Sequence, residues 1–164
     1  MPCKCFENIK SSANLPFEER LETYKCRCAA RFSAEENKRF FILKDADIEE
    51  VEKYQIDGGI INDTKSNRCD YLFVFQNKRF FFVELKGTDI KHALVQIEAT
   101  MQLFYAKGII SNKETRCCIV FSSYPKDNGT YRKGVITLRK NWKNKVANIE
   151  VLSLIHISEP TRRS

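Results

Sequence analysis

In the stretch Val83-Glu84-Leu85-Lys86-Gly87, an acid and a base stand two residues apart at the end of the apolar run Phe80, Phe81, Phe82 and Val83. Alternate residues of a β-strand leave the same face, so Glu84 and Lys86 can meet one ligand. A strand this apolar belongs in the middle of a sheet, where charges without partners are costly. The two are therefore either paired with each other or committed to a ligand. Asp70 opens a second apolar strand, and a hairpin through Gln76-Asn77-Lys78-Arg79 brings it across from Glu84 at the end far from the turn. Two carboxylates so placed suit a hard divalent cation, Mg²⁺ or Mn²⁺, which takes a few oxygen ligands and keeps several waters. The backbone carbonyl of Leu85 offers a further oxygen. Such a cation polarises a phosphodiester and lowers the pKa of a bound water, while Lys86 positions that water or offsets the charge developing on the phosphorane. The chemistry these residue types serve is metal-assisted phosphodiester hydrolysis.

The arrangement holds for only one class of connection. A two-residue turn at Asn77-Lys78 pairs Asp70 with Leu85 and sends the aspartate to the opposite face. A three-residue connection, or one β-bulge, pairs Asp70 with Glu84 or Lys86 and puts all three on one face. An odd residue in this connection is therefore expected.

The elements that must position these residues can be read from the pattern of the chain. Residues 1–14 show no sustained period and read as an irregular lead-in. From Leu15 to Phe32, Phe17, Leu21, Tyr24 and Cys28 recur at helical spacing and Pro16 suits a first turn, so a helix is expected. Arg39 to Lys44 reads as a strand, the acidic Asp45 to Tyr54 as a segment holding one helical turn, and Asp57-Gly58-Gly59 as a turn beside a strand end at Ile60-Ile61. The hairpin that carries Asp70 and Glu84 is the clearest feature, rich in aromatic and β-branched residues on both arms. After Gly87, Thr88 or Asp89 caps a helix with the stripe Ile90, Ala93, Leu94, Ile97, Met101, Phe104 and Tyr105, ended by Gly108. Arg116 to Ser123 reads as a central strand buried by helices on its faces. Tyr131, Val135, Leu138 and Trp142 give the apolar stripe of a basic helix, and Ile149 to Leu152 a last strand. The order is αβββαβαβ: an α/β (α+β) fold with a mixed central sheet flanked by helices, in one domain over residues 15–152. From Ser153 the chain fits neither the periodicity nor the composition before it. Residues 153–164, His156 included, resemble a translated sequencing-adaptor tail and are set apart as non-native.

Composition bounds the partners. A chain of 164 residues, 43% hydrophobic and 30% charged, suits one compact domain and would cramp two. Its 28 Lys and Arg against 21 Asp and Glu give a net charge of +7, which favours a polyanionic partner, nucleic acid. No run approaches the roughly 18 uninterrupted apolar residues of a spanning helix, and no secretory signal opens the chain, so a soluble cytoplasmic protein without a membrane partner is expected. Seven cysteines, two of them adjacent at Cys117-Cys118 in a buried strand, argue for reduced thiols rather than a disulfide framework.

Asp70, thirteen intervening residues and Glu84-Leu85-Lys86 on a second strand, followed by a capped helix, resemble the PD-(D/E)xK nuclease superfamily, whose members include restriction endonucleases, archaeal Holliday-junction resolvases and RecB-like exonucleases. The resemblance covers about Leu15 to Ser123 in element order and Asp70 to Tyr105 in motif, with Cys69 in the place of the motif's proline. It implies a restriction-endonuclease-like αβββαβ core with the acidic pair on its second and third strands, Mg²⁺-dependent cleavage of DNA, and a homodimer as one arrangement for cutting two strands. The family often adds a polar residue from the next helix that reaches back to the site. Gln96 is the candidate, ahead of His92 and Glu98. Gln96 with Thr100, and Gln102 with Tyr105, do not reproduce the Gln-x-x-x-Tyr spacing of RecB-like members. Some relatives draw an acid from the first helix, where Glu18, Glu19 and Glu22 are available with no pattern to select among them. Glu19 is kept as an accessory candidate together with Asp57, although turn chemistry alone accounts for an aspartate at that turn.

Two further patterns stand outside this motif. Arg132, Lys133, Arg139, Lys140 and Lys143 surround the last helix, where they either track phosphates, with binding that falls steeply with salt, or keep the domain soluble. Cys3-Lys4-Cys5 and Cys26-Arg27-Cys28 supply four thiolates for a zinc ion, though a one-residue spacing is shorter than the two to four residues of common knuckles. No Walker loop, Ser-His-Asp pattern or dinucleotide fingerprint is present. The rival readings are a non-catalytic nucleic-acid-binding or protein-interaction module on the same fold, with Glu84 and Lys86 as a structural ion pair, and a defence or toxin component that needs a partner.

Overall fold

The computed structural model describes residues 14–28, 32–36, 39–43, 51–76, 78–86, 89–121 and 128–155. In chain order the elements are α1 (Phe17–Thr23), β1 (Lys25–Cys28), β2 (Phe32–Glu36), β3 (Arg39–Leu43), β4 (Val51–Gln55), β5 (Tyr71–Phe75), β6 (Arg79–Lys86), α2 (Ile90–Ala106), β7 (Glu114–Phe121), α3 (Asn128–Trp142) and β8 (Asn148–Ile155). Six strands form one mixed sheet in the order β1-β4-β5-β6-β7-β8, and β2 pairs with β3 in a separate two-stranded sheet. The β1, β4, β5 and β6 neighbours are antiparallel, whereas β6-β7 and β7-β8 are parallel. Parallel neighbours need a crossover, and α2 and α3 supply the two crossovers. The fold is a mixed α/β fold, as the pattern of strands and helices predicts.

Alternation along the strands divides the core in two. Leu72, Val74, Phe80, Phe82, Cys117, Ile119 and Phe121 turn to one face, where they meet Phe17 of α1, the apolar stripe of α2, and Leu138 and Trp142 of α3. Val51, Phe73, Phe75, Phe81, Val83, Leu85, Cys118 and Val120 turn to the other. All three helices therefore lie on a single face, against the expectation that helices cover both faces of the strand at Arg116–Ser123. On the second face β3 runs alongside β6 and β7. Of the stripes expected on the helices, Ile90, Ala93, Leu94, Ile97, Met101 and Phe104 on α2 and Leu138 and Trp142 on α3 are buried, while Tyr105, Tyr131 and Val135 are partly buried against the same core. The two helices approach closely, since a Cβ at Gly134 would stand 2.6 Å from Leu94 Cδ1.

The remaining departures have local causes. Helix α1 stops at Thr23, and Lys25–Cys28, expected to continue it, pairs with β4 instead. The spacing of Tyr24 and Cys28 fits a helix equally well; the antiparallel ladder to Val51–Tyr54 decides otherwise. That ladder also makes a strand of Val51–Gln55, the end of the segment expected to hold a helical turn, while residues 45–50 lie outside those described. Its charges find neighbours: Lys25 Nζ lies 3.4 Å from Glu52, and the Lys53 ammonium stands 4.7 Å from the centre of the Tyr71 ring. Arg39–Leu43, expected among the central strands, belongs to the small sheet. Ile60 and Ile61 sit in a turn closed by an isolated bridge from Asp57 to Ile61 rather than in a strand. Strand β8 runs to Ile155, three residues into the segment set apart as a tail, because Ile119, Val120 and Phe121 of β7 present backbone partners for Ser153, Leu154 and Ile155. Cys26 is disulfide-bonded, contrary to the expectation of reduced thiols, whereas Cys69, Cys117 and Cys118 are free and buried.

Candidate active site at the β5-β6 edge

The register of the hairpin settles the geometric condition. Tyr71 pairs with Val83 and Phe75 with Arg79, which leaves the three residues 76–78 between the strands. Gln76 takes a positive φ of 48°, and the Lys78 N–H donates to the Phe75 carbonyl at 2.9 Å. The odd residue is present, so the ladder has the parity that sets Asp70, one step beyond its last pair, on the Glu84 face. The main-chain N–H of Asp70 donates to the Val83 carbonyl at 3.1 Å, and the regular ladder ends at the Tyr71–Val83 pair. There the chain leaves the ladder. The side chain takes over the next rung: Asp70 Oδ2 accepts the Leu85 N–H at 2.7 Å.

Both carboxylates are enclosed, with Asp70 7% and Glu84 2% exposed. They share an influence on Cys69, whose thiol is held well above its ordinary pKa first by burial, then by Glu84 and, more weakly, by Asp70. Leu85 stands between, opposite Val120 in the parallel ladder, and Lys86 is the alternate residue after Glu84, opposite Phe121. The site thus forms where the parallel strands β6 and β7 end and the chain turns towards α2. Asp89 caps that helix by accepting the His92 N–H at 3.1 Å, as the sequence suggests, and the His92 side chain is exposed.

Helix α2 grips the approach to Asp70. Gln96 Nε2 donates to the Arg68 carbonyl at 3.0 Å, and its Oε1 is buried with no hydrogen-bond partner among the described residues. One turn further, Thr100 Oγ1 accepts the Cys69 N–H at 2.8 Å and donates to the Gln96 carbonyl at 2.9 Å. Gln96 therefore reaches back to the chain leading into the site. Glu98 does not: its Oε1 accepts from Trp142 Nε1 at 3.1 Å and ties α2 to α3. Thr100 escaped sequence reasoning, although a polar residue on the apolar face of α2, four positions after Gln96, was the available signal. Arg68 escaped too, hidden in the polar loop before Cys69. Its guanidinium donates to Asp57 at 2.7 Å and to the carbonyls of Asp63 and Ser66.

The accessory acids fare differently. Asp57 lies next to the site through its backbone, its N–H donating to the Asp70 carbonyl at 3.3 Å, but its carboxylate is engaged by Arg68. Glu19 is exposed on α1. Among the described residues no three His, Cys, Asp or Glu side chains gather as a metal site, so neither acid joins Asp70 and Glu84 in one cluster. The Asp57 turn depends on glycine: a Cβ at Gly59 would stand 2.4 Å from the Gln55 carbonyl and 2.8 Å from the Tyr24 ring. Gly59→Ala is expected to cost on the order of 1–3 kcal/mol of stability, read as a lower urea midpoint at unchanged slope.

Comparison with protein-family models, with curated proteins and with solved structures finds no match for this chain. The functional reading therefore rests on this chain's own residues.

Arg132, Lys133, Arg139, Lys140 and Lys143 are all exposed, and no acid occurs from Asn128 to Ile149. The apolar side of α3 is locked down by Trp142, packed edge-on against Tyr105 at 5.7 Å. The free cysteines are poor nucleophiles: burial pushes the Cys118 thiol up to about 12 and that of Cys117 higher still. Of the four cysteines considered for zinc, Cys26 is engaged in its disulfide, while Cys3, Cys5 and the Cys28 side chain lie outside those described. Among the described residues no helix is long and apolar enough to cross a membrane.

Proposed function

We propose that this protein is a metal-dependent nuclease that hydrolyses phosphodiester bonds in DNA, with Asp70 and Glu84 as ligands of Mg²⁺ or Mn²⁺ and Lys86 as the residue that positions the attacking water. The observation that carries the reading is the three-residue hairpin connection, whose parity supports Asp70, one step beyond the last pair, sharing a face with Glu84. Element order supports it further. A leading helix α1, the antiparallel run β4-β5-β6, helix α2 and the parallel strand β7 follow the order of the αβββαβ series that the resemblance to PD-(D/E)xK nucleases implies, with Asp70 one residue before the second of those strands and Glu84 on the third. Strands β1 to β3 between α1 and β4, and three helices on one face, depart from that series.

The donor set fits a hard cation. Asp70 Oδ2 holds the Leu85 N–H, and the oxygens of Asp70 Oδ1, Glu84, the Leu85 carbonyl and the unsatisfied Gln96 Oε1 belong to the chemistry Mg²⁺ prefers. When bound, the cation would supply Lewis acidity towards a phosphate oxygen and a more acidic water. The protein's own part is to fix geometry. The hydrogen bond from the Leu85 N–H to Asp70 holds the first carboxylate, Thr100 and Gln96 hold the chain that delivers it, and the Lys86 ammonium would offset negative charge developing on the phosphoryl group. The exposed cations of α3 would bind the phosphate backbone on either side of the cut.

Incubation with linear, circular, single-stranded and branched DNA, and with RNA, in Mg²⁺, Mn²⁺ or excess chelator tests the reading. Products should form only with metal; equal nicking in chelator overturns it. Near-complete burial of both carboxylates, with one oxygen of Asp70 engaged by backbone, favours a second reading, a nucleic-acid-binding module without catalysis. Both readings predict that Arg139→Ala with Lys140→Ala flattens the dependence of log K on log salt, by about one unit for each phosphate no longer neutralised. An unchanged slope would reduce the α3 face to a solvated surface.

A further inference from the structure

One cavity among the described residues does not open on the carboxylates. It lies between α1, the loop of residues 60–67 and α2, and encloses about 680 Å³, within the range that small-molecule sites occupy. Its wall is divided. Phe17, Ile60 and Leu103 give an apolar side, and the small Ala99 leaves room beside Leu103. Arg20, Lys65 and Lys107 bring three cations to the lining against one acid, Asp63. Asn62 and Asn67 add amides that both donate and accept.

The charges are not equivalent. Arg20 is anchored, with Nε on the Ile60 carbonyl at 2.8 Å and one terminal nitrogen on the Leu15 carbonyl at 2.6 Å. Lys107 stands 3.7 Å from Glu18 and 5.0 Å from the centre of the Phe17 ring. Asp63 is turned towards its own loop: Oδ1 accepts the N–H groups of Ser66 at 2.6 Å and Lys65 at 2.9 Å, and hydrogen bonds from Ser66 lead the causes that hold its pKa below the ordinary carboxylate value. That turn fixes the loop and leaves the Lys65 ammonium, exposed and with no partner among the described residues, at the cavity. An apolar wall, neutral amides and a surplus of cations together suit a ligand with a flat apolar part, a hydrogen-bonding edge and a phosphate.

We infer that this cavity binds a phosphate-bearing nucleotide, its base against Phe17 and Leu103, its base edge towards Asn62 and Asn67, and its phosphate at Lys65 and Lys107. The preference for a phosphate stands on the lining alone, while the choice of a nucleotide rests on the nuclease reading. The same loop continues through Arg68, held by Asp57 and Asp63, to Asp70, so a nucleotide seated here would lie at the entrance of the strand that carries the carboxylate. This is a binding site distinct from the bond-cutting residues.

The test is a titration of the full chain, without divalent metal, with nucleoside 5′-monophosphates, a 5′-phosphorylated tetranucleotide, unphosphorylated nucleoside and ribose 5-phosphate, followed by calorimetry and by chemical-shift changes. The monophosphates should bind at least about tenfold more tightly than nucleoside or ribose phosphate. A tighter tetranucleotide assigns the cavity to a strand end, and a tighter mononucleotide to a free nucleotide. Lys65→Glu, on an exposed loop, should weaken binding about tenfold or more, and Ala99→Leu should block it by filling the space. Absence of binding at millimolar nucleotide, or binding indifferent to both variants, overturns the site, and equal binding of ribose 5-phosphate overturns the nucleotide. Because no cleavage is read, a catalytically silent protein that binds nucleotide would refute the nuclease reading alone.

Discussion

Glu84→Gln should lower metal-dependent cleavage by about 10²–10³-fold or more, while the protein stays folded and still binds DNA. The substitution keeps the shape of the side chain and removes its charge. Glu84 is 2% exposed, so its ionised form has given up most of its hydration. An amide in its place is cheaper to bury and a far weaker ligand for a divalent cation. Lys86→Ala should produce a comparable loss of cleavage through a different route, by removing the charge that steadies the attacking water. The two substitutions together should cost little more than either alone, since residues that act as a unit in catalysis are not additive. A structural ion pair predicts the opposite pattern. Breaking a buried pair from one side leaves an uncompensated charge and costs about 3–5 kcal/mol, and the double variant then recovers part of that stability. Urea unfolding of the three variants beside their cleavage rates separates the cases. Strong destabilisation by each single change, relieved in the double, with no metal-dependent cleavage by the parent, would leave the module as the surviving reading.

What the sequence discloses depends on how far each element is specified by its own residues. The β5-β6 hairpin and α2 were readable because their burial is written locally: Leu72 to Phe75 and Phe80 to Val83 are apolar on both faces, and the α2 stripe repeats every three and four residues. The same holds for α3. Strand β4 was not readable, since Val-Glu-Lys-Tyr-Gln is stabilised by what lies across from it, Lys25 beside Glu52 and Tyr71 under Lys53, and none of these neighbours is near in sequence. Strand β1 was masked by an apolar spacing that serves a helix as well as it serves the ladder to β4. The Cys26 disulfide ran against a cysteine count that argued for free thiols. At the candidate site the division is similar. The pairing of Glu84 with Lys86 on alternate strand positions follows from two-residue periodicity alone. The hold of Thr100 and Gln96 on residues 68 and 69 joins positions about thirty apart, and only the packing of α2 on the sheet brings them together.

Val74 is the residue whose removal should do most to the site without touching it. Strand β6 is pinned to β7 in parallel register from Arg79 opposite Glu114 to Lys86 opposite Phe121, and the three-residue connection keeps Phe75 opposite Arg79, so a shortened β5 must shift towards the connection. Phe73 then comes opposite Phe80, and Tyr71, Leu72 and Phe73 each exchange faces. In a half-exposed strand that would bury polar groups and unfold the protein. Leu72 and Phe73 are both buried, however, so here the slip exchanges apolar for apolar and its cost is misfit between phenylalanine and the smaller leucine, about 1–3 kcal/mol for each overpacked site. The deletion variant should therefore remain folded but markedly less stable, with Asp70 opposite Val83 and the carboxylate removed from the Glu84 face. Cleavage should fall to the level seen in chelator. Deletion of Asn77, by contrast, leaves Gln76 and Lys78 as a two-residue connection that keeps Phe75 opposite Arg79, so register and activity should survive it. Nuclear Overhauser effects across the strands, between positions 71 and 83, report the register directly. Full cleavage by a Val74 deletion variant that lacks those effects would separate the activity from the Asp70-Glu84 register and remove the main support for the site.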